Sequence, residues 1–508
     1  MKRKNALLIL CDQLRTSFLN VYNPDIPIPT PHIDELARRG VVFTNCVTAS
    51  PVCAPARASM LTGRYVSDHG AWTNNVPGRA GLEFLPQRMN QAGYDTAVFG
   101  CFDHYPHDDL AGFQYAKLME GGLLGEHEEY LQFLKERHPE VTSIFNGDDL
   151  AFTFPEDEFY DYWTATQAID YLTNHAMQRP DTPFYACVSF LSPHSPLYPP
   201  REVHGTVDPD KLPKPLSREE GMSPVTTYRG ALVTPHKPLT RQMQERTAYA
   251  ELIVEIDRQI GRVLDTLKKQ GLYDDTTIIF TADHGNMLED FGLTTKGPYP
   301  YRSQLFVPMI LSGDSSIRSG IYSDSLVTNL DVGATLLDIA GDTRSFGCSR
   351  SLLDAAQEHP RQPREVNYSE FCDAMKVVTD KRYTYGYFPF TGYADLYDRI
   401  EDPNELHNLA GKPEYAAVEA RFLKYIIEFM AVAKGVRIEA HDLIPQMKEG
   451  LIKYLPYFPK DFMLAYPISS EAERERLRAA GLDADYNEFC KSQPIYAHYG
   501  VYWDRNLK

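Results

Sequence analysis

The sequence predicts an α/β protein with a mostly parallel central sheet flanked by helices and a smaller α+β subdomain at its C-terminal end. Three observations carry this reading. Residues 5–11 and 184–191 are near-continuous apolar runs, the pattern of strands buried on both faces. Over about 243–270, Leu252, Ile253, Ile256, Ile260, Val263, Leu264 and Leu267 fall on one helical stripe. Strand and helix patterns alternate through the first two thirds of the chain, as a parallel sheet with crossover helices requires, and then give way to short strands close together.

In order, the first strand (5–11) ends at Asp12-Gln13. Thr30 to Arg39 reads as a short helix, with Ile33, Leu36 and Ala37 at helical spacing and Gly40 as its stop. Val41-Val42-Phe43 is a strand. It leads to Cys53, where Pro55 fits the first turn of a helix and Ala56 to Leu61 can continue it. Leu82 to Gln91 is amphipathic, and Tyr94 to Phe99 is the next strand. Residues 101–160 are rich in acidic, histidine and aromatic residues with weak periodicity, and read as an irregular insertion beside the site. Asp161 to Met177 returns to helix. The 184–191 strand runs into Ser192-Pro193-His194-Ser195-Pro196, and the proline-rich 196–240 reads as a rim or lid.

The long helix over 243–270 is followed by a strand, Thr276 to Thr281, which delivers Asp283-His284-Gly285. Val307 to Leu311 is another strand and Val332 to Ala340 another helix. Beyond 367, Lys376 to Thr379, Arg382 to Phe388 and Ala394 to Asp398 read as antiparallel strands, followed by a helix over 414–434. The aromatic-rich tail contains one helix, announced by the Ser470 and Glu473 capping box. The expected division is a catalytic domain at 1–366, a C-terminal subdomain at 367–440 and a tail extension at 441–508.

Composition bounds the function. The 508-residue chain is 43% hydrophobic and 24% charged, enough for a sizeable core, and carries a net charge of −18 with no basic block. That argues against nucleic acid as a partner. Eight cysteines are scattered without a disulfide framework or metal-type spacing, which points to a reducing, cytoplasmic setting. The apolar run after Lys2-Arg3-Lys4 is short for a signal peptide and meets Asp12 with no small-residue cleavage site, so a buried strand is the better reading. No segment is long enough to span a membrane, and none is expected to bind one.

In open α/β sheets, sites form outside the carboxyl ends of strands. Asp12, the Cys53 turn, the His194 loop and Asp283-His284 all sit at such ends. The two carboxylates suit a hard divalent cation, and an imidazole shifts the preference toward a transition ion. Cys53 at a helix N-terminus is a candidate low-pKa nucleophile, with Arg57 one turn on along the same face.

Cys53-Ala54-Pro55-Ala56-Arg57 followed by Leu61-Thr62-Gly63-Arg64 resembles the signature of the type I sulfatases, the formylglycine-dependent members of the alkaline phosphatase superfamily, in the branch that holds sulfatases and phosphonate monoester hydrolases. The resemblance covers about residues 4–410, including Thr30-Pro31-His32-Ile33-Asp34-Glu35-Leu36-Ala37 and Asp402-Pro403-Asn404-Glu405. It implies an alkaline phosphatase-like fold and oxidation of Cys53 to formylglycine by a formylglycine-generating or anaerobic sulfatase-maturating enzyme. It also implies one divalent metal, calcium with manganese or magnesium as alternatives, held by Asp12, Gln13, Cys53, Asp283 and His284. Gln13 departs from the family's usual Asp-Asp pair. His194 matches a loop histidine that assists the leaving group, Lys296 a lysine that grips the sulfate, Arg57 a group holding the hydrate or the anion, and Asn74 an asparagine near the site.

The clearest departure is at Phe99-Gly100-Cys101-Phe102-Asp103-His104. Most relatives have Gly-Lys-x-His here; this chain has Cys101 for the lysine and Asp103 for the histidine, with His104 one residue late as a candidate substrate-binding substitute. The implied activity is hydrolysis of a small sulfate ester, of a sugar or an aryl alcohol. A phosphonate monoester or phosphodiester hydrolase on the same fold is the alternative, and an inactive binding homologue a third reading. The specific substrate and the oligomeric state, homo-oligomer or monomer, are left open.

Overall fold

The computed structural model describes residues 4–217, 237–314, 316–389 and 391–432. The central sheet has eight strands: β1 (Asn5–Cys11), β2 (Val41–Val47), β3 (Asp95–Gly100), β4 (Tyr115–Leu118), β7 (Phe184–Phe190), β8 (Thr276–Ala282), β9 (Met309–Ser312) and β10 (Ile321–Thr328). A small hairpin, β5 (Gly147–Asp148) and β6 (Ala151–Phe152), stands apart from it. The sheet order is β10-β2-β9-β8-β1-β7-β3-β4. Every neighbouring pair is parallel except those of β9, which runs antiparallel to both β2 and β8. The chain reaches β9 by a loop over the carboxyl edge after β8, so it descends beside the strand it has just left.

β1 lies between β7 and β8 with all seven residues buried, which is why its sequence is apolar on both faces. Among the described residues, the helices of seven residues or more are α1 (Pro31–Arg38), α2 (Cys53–Thr62), α3 (Leu85–Gln91), α4 (Glu129–Arg137), α5 (Tyr160–Gln178), α6 (Leu239–Lys269), α7 (Asp331–Ile339) and α8 (Ala416–Val432). The apolar stripe of α6 is buried as its spacing requires. Asp257 of α6 accepts backbone hydrogen bonds from His32 (3.1 Å) and Ile33 (2.8 Å), satisfying free N–H groups at the start of α1.

The C-terminal sheet is an antiparallel meander of β11 (Asn367–Phe371), β12 (Met375–Thr379), β13 (Tyr383–Phe388) and β14 (Tyr393–Asp398), with α8 packed on it. It is joined to the main sheet by shared apolar clusters: Phe371, Met375, Val377 and Phe388 pack with Val47, Val52, Leu305 and Phe306. The second sheet therefore braces the turn that carries Cys53.

The segment 101–160 is more ordered than its sequence suggests. It contributes edge strand β4, the β5–β6 hairpin and α4, whose Tyr130, Leu131 and Leu134 enter a local cluster with Phe152, Phe159 and Trp163. Strands β10 and β11 also go beyond the elements read from the sequence. The tail helix at Ser470 and Glu473, and residues 218–236 of the rim, lie outside the described residues. Among the described residues no helix is long and apolar enough to cross a membrane. The seven described cysteines are unpaired, five of them buried.

Candidate active site

The sheet brings the site together by register. Cys11 pairs with Ala282, so Asp12 and Asp283 leave adjacent strands side by side at the carboxyl edge. Gln13 turns there with φ 67°, and its N–H donates to Asp283 Oδ1 at 3.0 Å. α2 begins at Cys53, which is 3% exposed, and runs through Arg57.

Arg57 is the electrostatic hinge between the carboxylates. Its Nε donates to Asp283 Oδ2 and its Nη2 to Asp12 Oδ2, both at 3.0 Å. Its Nη1 donates to the Cys101 carbonyl and to the Ser189 hydroxyl. Burial works against the Asp283 charge, but His284 and Arg57 hold its carboxyl well below the usual range. Asp12 is pushed up to about 6 by burial and by the Asp283 charge, which outweigh Arg57 and Lys296.

Three groups surround the Cys53 sulfur. Lys296 Nζ lies at 2.6 Å, His284 Nε2 at 3.1 Å and Asp12 Oδ1 at 3.6 Å. Asn74 Oδ1 accepts the Ala54 N–H at 3.1 Å and so clamps the start of α2 beside the sulfur. Burial and the Asp12 charge push the thiol well up despite Lys296, which corrects the low-pKa thiolate reading of this helix N-terminus. For Lys296, burial opposes the charge, but Cys53, Asp12 and Asp283 more than offset it and the ammonium is held.

Both histidines are neutral and their tautomers are fixed by geometry. His284 Nδ1 donates to the Gly285 carbonyl at 2.8 Å, leaving the Nε2 lone pair facing the sulfur, and burial pulls its pKa down to about 4. His194 Nδ1 donates to the Ser195 carbonyl at 2.6 Å and its Nε2 accepts from Lys296 at 3.0 Å. Burial and the Lys296 charge lower His194 to about 3.

Asp12, Cys53, Asp283 and His284 present ligand atoms that all lie within 4.8 Å of one another, each on a buried residue. The Gln13 carboxamide adjoins them: its Oε1 receives Lys296 at 3.5 Å and its buried Nε2 is without a partner. Two carboxylates, an imidazole lone pair oriented by a carbonyl and an underused amide are a donor set that fits a divalent ion.

His104 is oriented elsewhere. Its Nε2 faces Asp109 at 3.8 Å and its ring packs on Phe84 and Phe102. Two residues go beyond the sequence reading, and a third, Asp103, stood in it only as a departure from the family pattern. Ser189, on β7, holds Arg57. Asp161, fully buried on the first turn of α5, accepts the Leu191 N–H at 3.1 Å and so fixes the loop that carries His194. Asp103 projects a charge felt at Cys53, His194 and Arg57. An acidic residue at a predicted helix start was a signal for Asp161 and the departure from Gly-Lys-x-His one for Asp103, whereas Ser189 had none of its own.

Comparison with known proteins identifies what the chain is similar to. The sulfatase family profile matches residues 4–342, and that of the C-terminal part of N-sulphoglucosamine sulphohydrolase matches residues 298–431. An arylsulfatase of Clostridium perfringens is 28% identical over 448 residues, covering 81% of this chain and 91% of its own. The multifunctional alkaline phosphatase superfamily protein PehA of Trinickia caryophylli is 28% identical over 492 residues, covering 82% and 93%. The crystal structure of the phosphonate monoester hydrolase of Agrobacterium radiobacter superposes with a TM-score of 0.73 at 26% identity, covering 86% of this chain and 97% of that one.

Proposed function

The chain belongs to the sulfatase family, and from that premise we propose that it hydrolyses the sulfate ester of a small sugar or aryl alcohol at a formylglycine made from Cys53. The observation that supports this is the single buried cluster of Cys53 with Lys296, His284 and Asp12 at the carboxyl edge of the sheet. When present, the formylglycine hydrate supplies an attacking hydroxyl and a second hydroxyl whose collapse releases sulfate, while a divalent ion supplies Lewis-acid polarisation. Asp12, Gln13, Asp283, His284 and position 53 would hold that ion. Calcium is the proposed metal, with manganese favoured over magnesium as the alternative because of the imidazole.

The chain's own groups do the rest. Lys296 carries a fixed positive charge beside position 53, where charge builds on the non-bridging oxygens. Neutral His194 accepts from that ammonium through Nε2 and holds it in place, and His194 is the residue proposed to assist the departing alcohol. Arg57 keeps both carboxylates ionised and correctly spaced. Asn74 holds the first turn of α2 so that position 53 keeps its aim. Because Cys53 is 3% exposed, its oxidation by a formylglycine-generating or anaerobic maturating enzyme must act before α2 is packed. A cytoplasmic setting is proposed from the scattered spacing of the eight cysteines.

A second reading, phosphonate monoester or phosphodiester hydrolysis, is favoured by Cys101 and Asp103 standing where most relatives carry lysine and histidine. Rates on p-nitrophenyl sulfate and phenyl phenylphosphonate separate the two, the sulfate being the expected better substrate. Mass spectrometry of the Cys53 peptide should show a loss of about eighteen mass units. Full activity with an intact thiol would overturn the formylglycine reading.

A further inference from the structure

After β3 the chain leaves the sheet through Gly100, Cys101 and Phe102 to Asp103, and this short segment is unusually well fixed. The Cys101 carbonyl is bound by Arg57 and by the Ser189 hydroxyl. The next two backbone N–H groups donate to opposite oxygens of one carboxylate, Phe102 to Glu120 Oε1 at 2.5 Å and Asp103 to Glu120 Oε2 at 2.8 Å. Asp103 is thereby held at φ 45°, a left-handed conformation that aspartate tolerates better than most residues with a side chain. The residue is 9% exposed, and among the described residues its carboxylate accepts no hydrogen bond and reaches solvent. A carboxylate that accepts no hydrogen bond, on a segment tied to Arg57 through the Cys101 carbonyl, is free to face a ligand at the reacting centre.

The charge balance indicates what role that gives it. Around position 53 stand two cations, Arg57 and Lys296, and three carboxylates, Asp12, Asp283 and Asp103. A divalent ion brings this set to a single positive charge, which one negative charge on a ligand neutralises. A second negative charge would face Asp103 without compensation.

We propose that Asp103 sets the charge class of the ligand, so that singly charged esters bind and doubly charged groups are rejected. Sulfate monoesters, phosphodiesters and phosphonate monoesters are singly charged. Phosphate monoesters at alkaline pH, and the free sulfate released by hydrolysis, are doubly charged, so the same carboxylate also speeds product release. The inference rests on the proposed function only for the place of the reacting centre, because both ester classes considered there are monoanions.

The test compares the metal-loaded, matured enzyme with Asp103→Asn at pH 8. Inorganic sulfate and phosphate should inhibit the variant about tenfold more tightly. Its kcat/KM on p-nitrophenyl phosphate should rise about tenfold relative to that on p-nitrophenyl sulfate and bis(p-nitrophenyl) phosphate. If sulfate esters prove not to be substrates, the proposed function falls while the ratio is still read on the diester and the monoester. Calorimetric titration of the metal-loaded protein with inorganic phosphate gives the same comparison without turnover, and Asp103→Ser repeats it if the asparagine variant melts early. Equal changes for monoanions and dianions, or none, would mean that Asp103 merely balances Arg57 and would overturn the proposal.

Discussion

Lys296 is the side chain on which the sulfur of Cys53, the lone pair of His194 and the amide of Gln13 all converge. Lys296→Ala should therefore lower kcat by roughly 10²- to 10³-fold, the cost of losing one preorganised positive donor, with a smaller change in KM. Lys296→Arg should recover little, because a planar fork cannot make three divergent contacts at once. A variant retaining wild-type kcat would remove Lys296 from the chemistry. The buried acids give a second prediction. Asp161 is raised to about 7 by burial, far above its ordinary value, so the folded state binds a proton that the unfolded chain has released. Its contribution to stability is complete at pH below about 4 and is lost as pH rises through about 7. Asp161→Asn has no charge to bury, so its melting temperature relative to the parent should climb between pH 5 and 8.5. A difference that stays flat across that range would show that Asp161 is not proton-linked. Buried His69, lowered to about 4 by burial, acts in the opposite sense: its contribution is present above about 6.5 and is lost as pH falls toward 4.

At the scale of elements, legibility followed burial. β1, β7 and β8 announced themselves because both faces are covered, and α6 because its stripe is long. β10 did not, since its outer half exposes every second residue through Tyr322-Ser323-Asp324-Ser325 and reads as a polar loop. β4 is a four-residue edge strand and α4 a helix of nine, too short for periodicity to declare them. The same logic holds at the site. Asp12, Asp283 and His284 end strands, and Cys53 sits in a recognisable string, so both were legible. Asp103 acts through loop geometry that no local pattern encodes, Asp161 showed only as an acidic residue at a helix start, and the displacement of His104 toward Asp109 depends on the turn at Asp103. One element contact invites a direct measurement. Asp257 of α6 caps α1 through two backbone N–H groups and, among the described residues, makes no bond to the groups of the reacting centre. Asp257→Ala should cost about 1–2 kcal/mol of stability, as lost helix caps do, while leaving kcat near the parental value. A fall in kcat at unchanged stability would show that α1 communicates with the site.

At the scale of the whole molecule, the site is a junction. Asp12 follows β1, Cys53 opens α2, and Asp283 and His284 follow β8, so one ion on these ligands would tie together segments more than two hundred residues apart in sequence. The second sheet is held to this junction by the cluster of Phe371, Met375, Val377 and Phe388 with Val47, Val52, Leu305 and Phe306. Loosening the junction should therefore loosen both sheets in one transition. Without the ion, Asp12 and Asp283 are buried like charges that share a single arginine, an arrangement burial penalises. A ligand that binds only the folded state stabilises it by about 2.7 kcal/mol at a hundredfold excess over its dissociation constant. Chelation should accordingly lower the melting temperature by several degrees in a single transition, and calcium or manganese should restore it. Asp283→Asn separates this from a general salt effect: it should abolish the metal-dependent shift while leaving the response to monovalent salt unchanged. If the chelated and metal-loaded proteins melt together, and the purified protein holds no divalent ion, then Arg57 and Lys296 alone balance the two carboxylates and the junction is held by protein charges only.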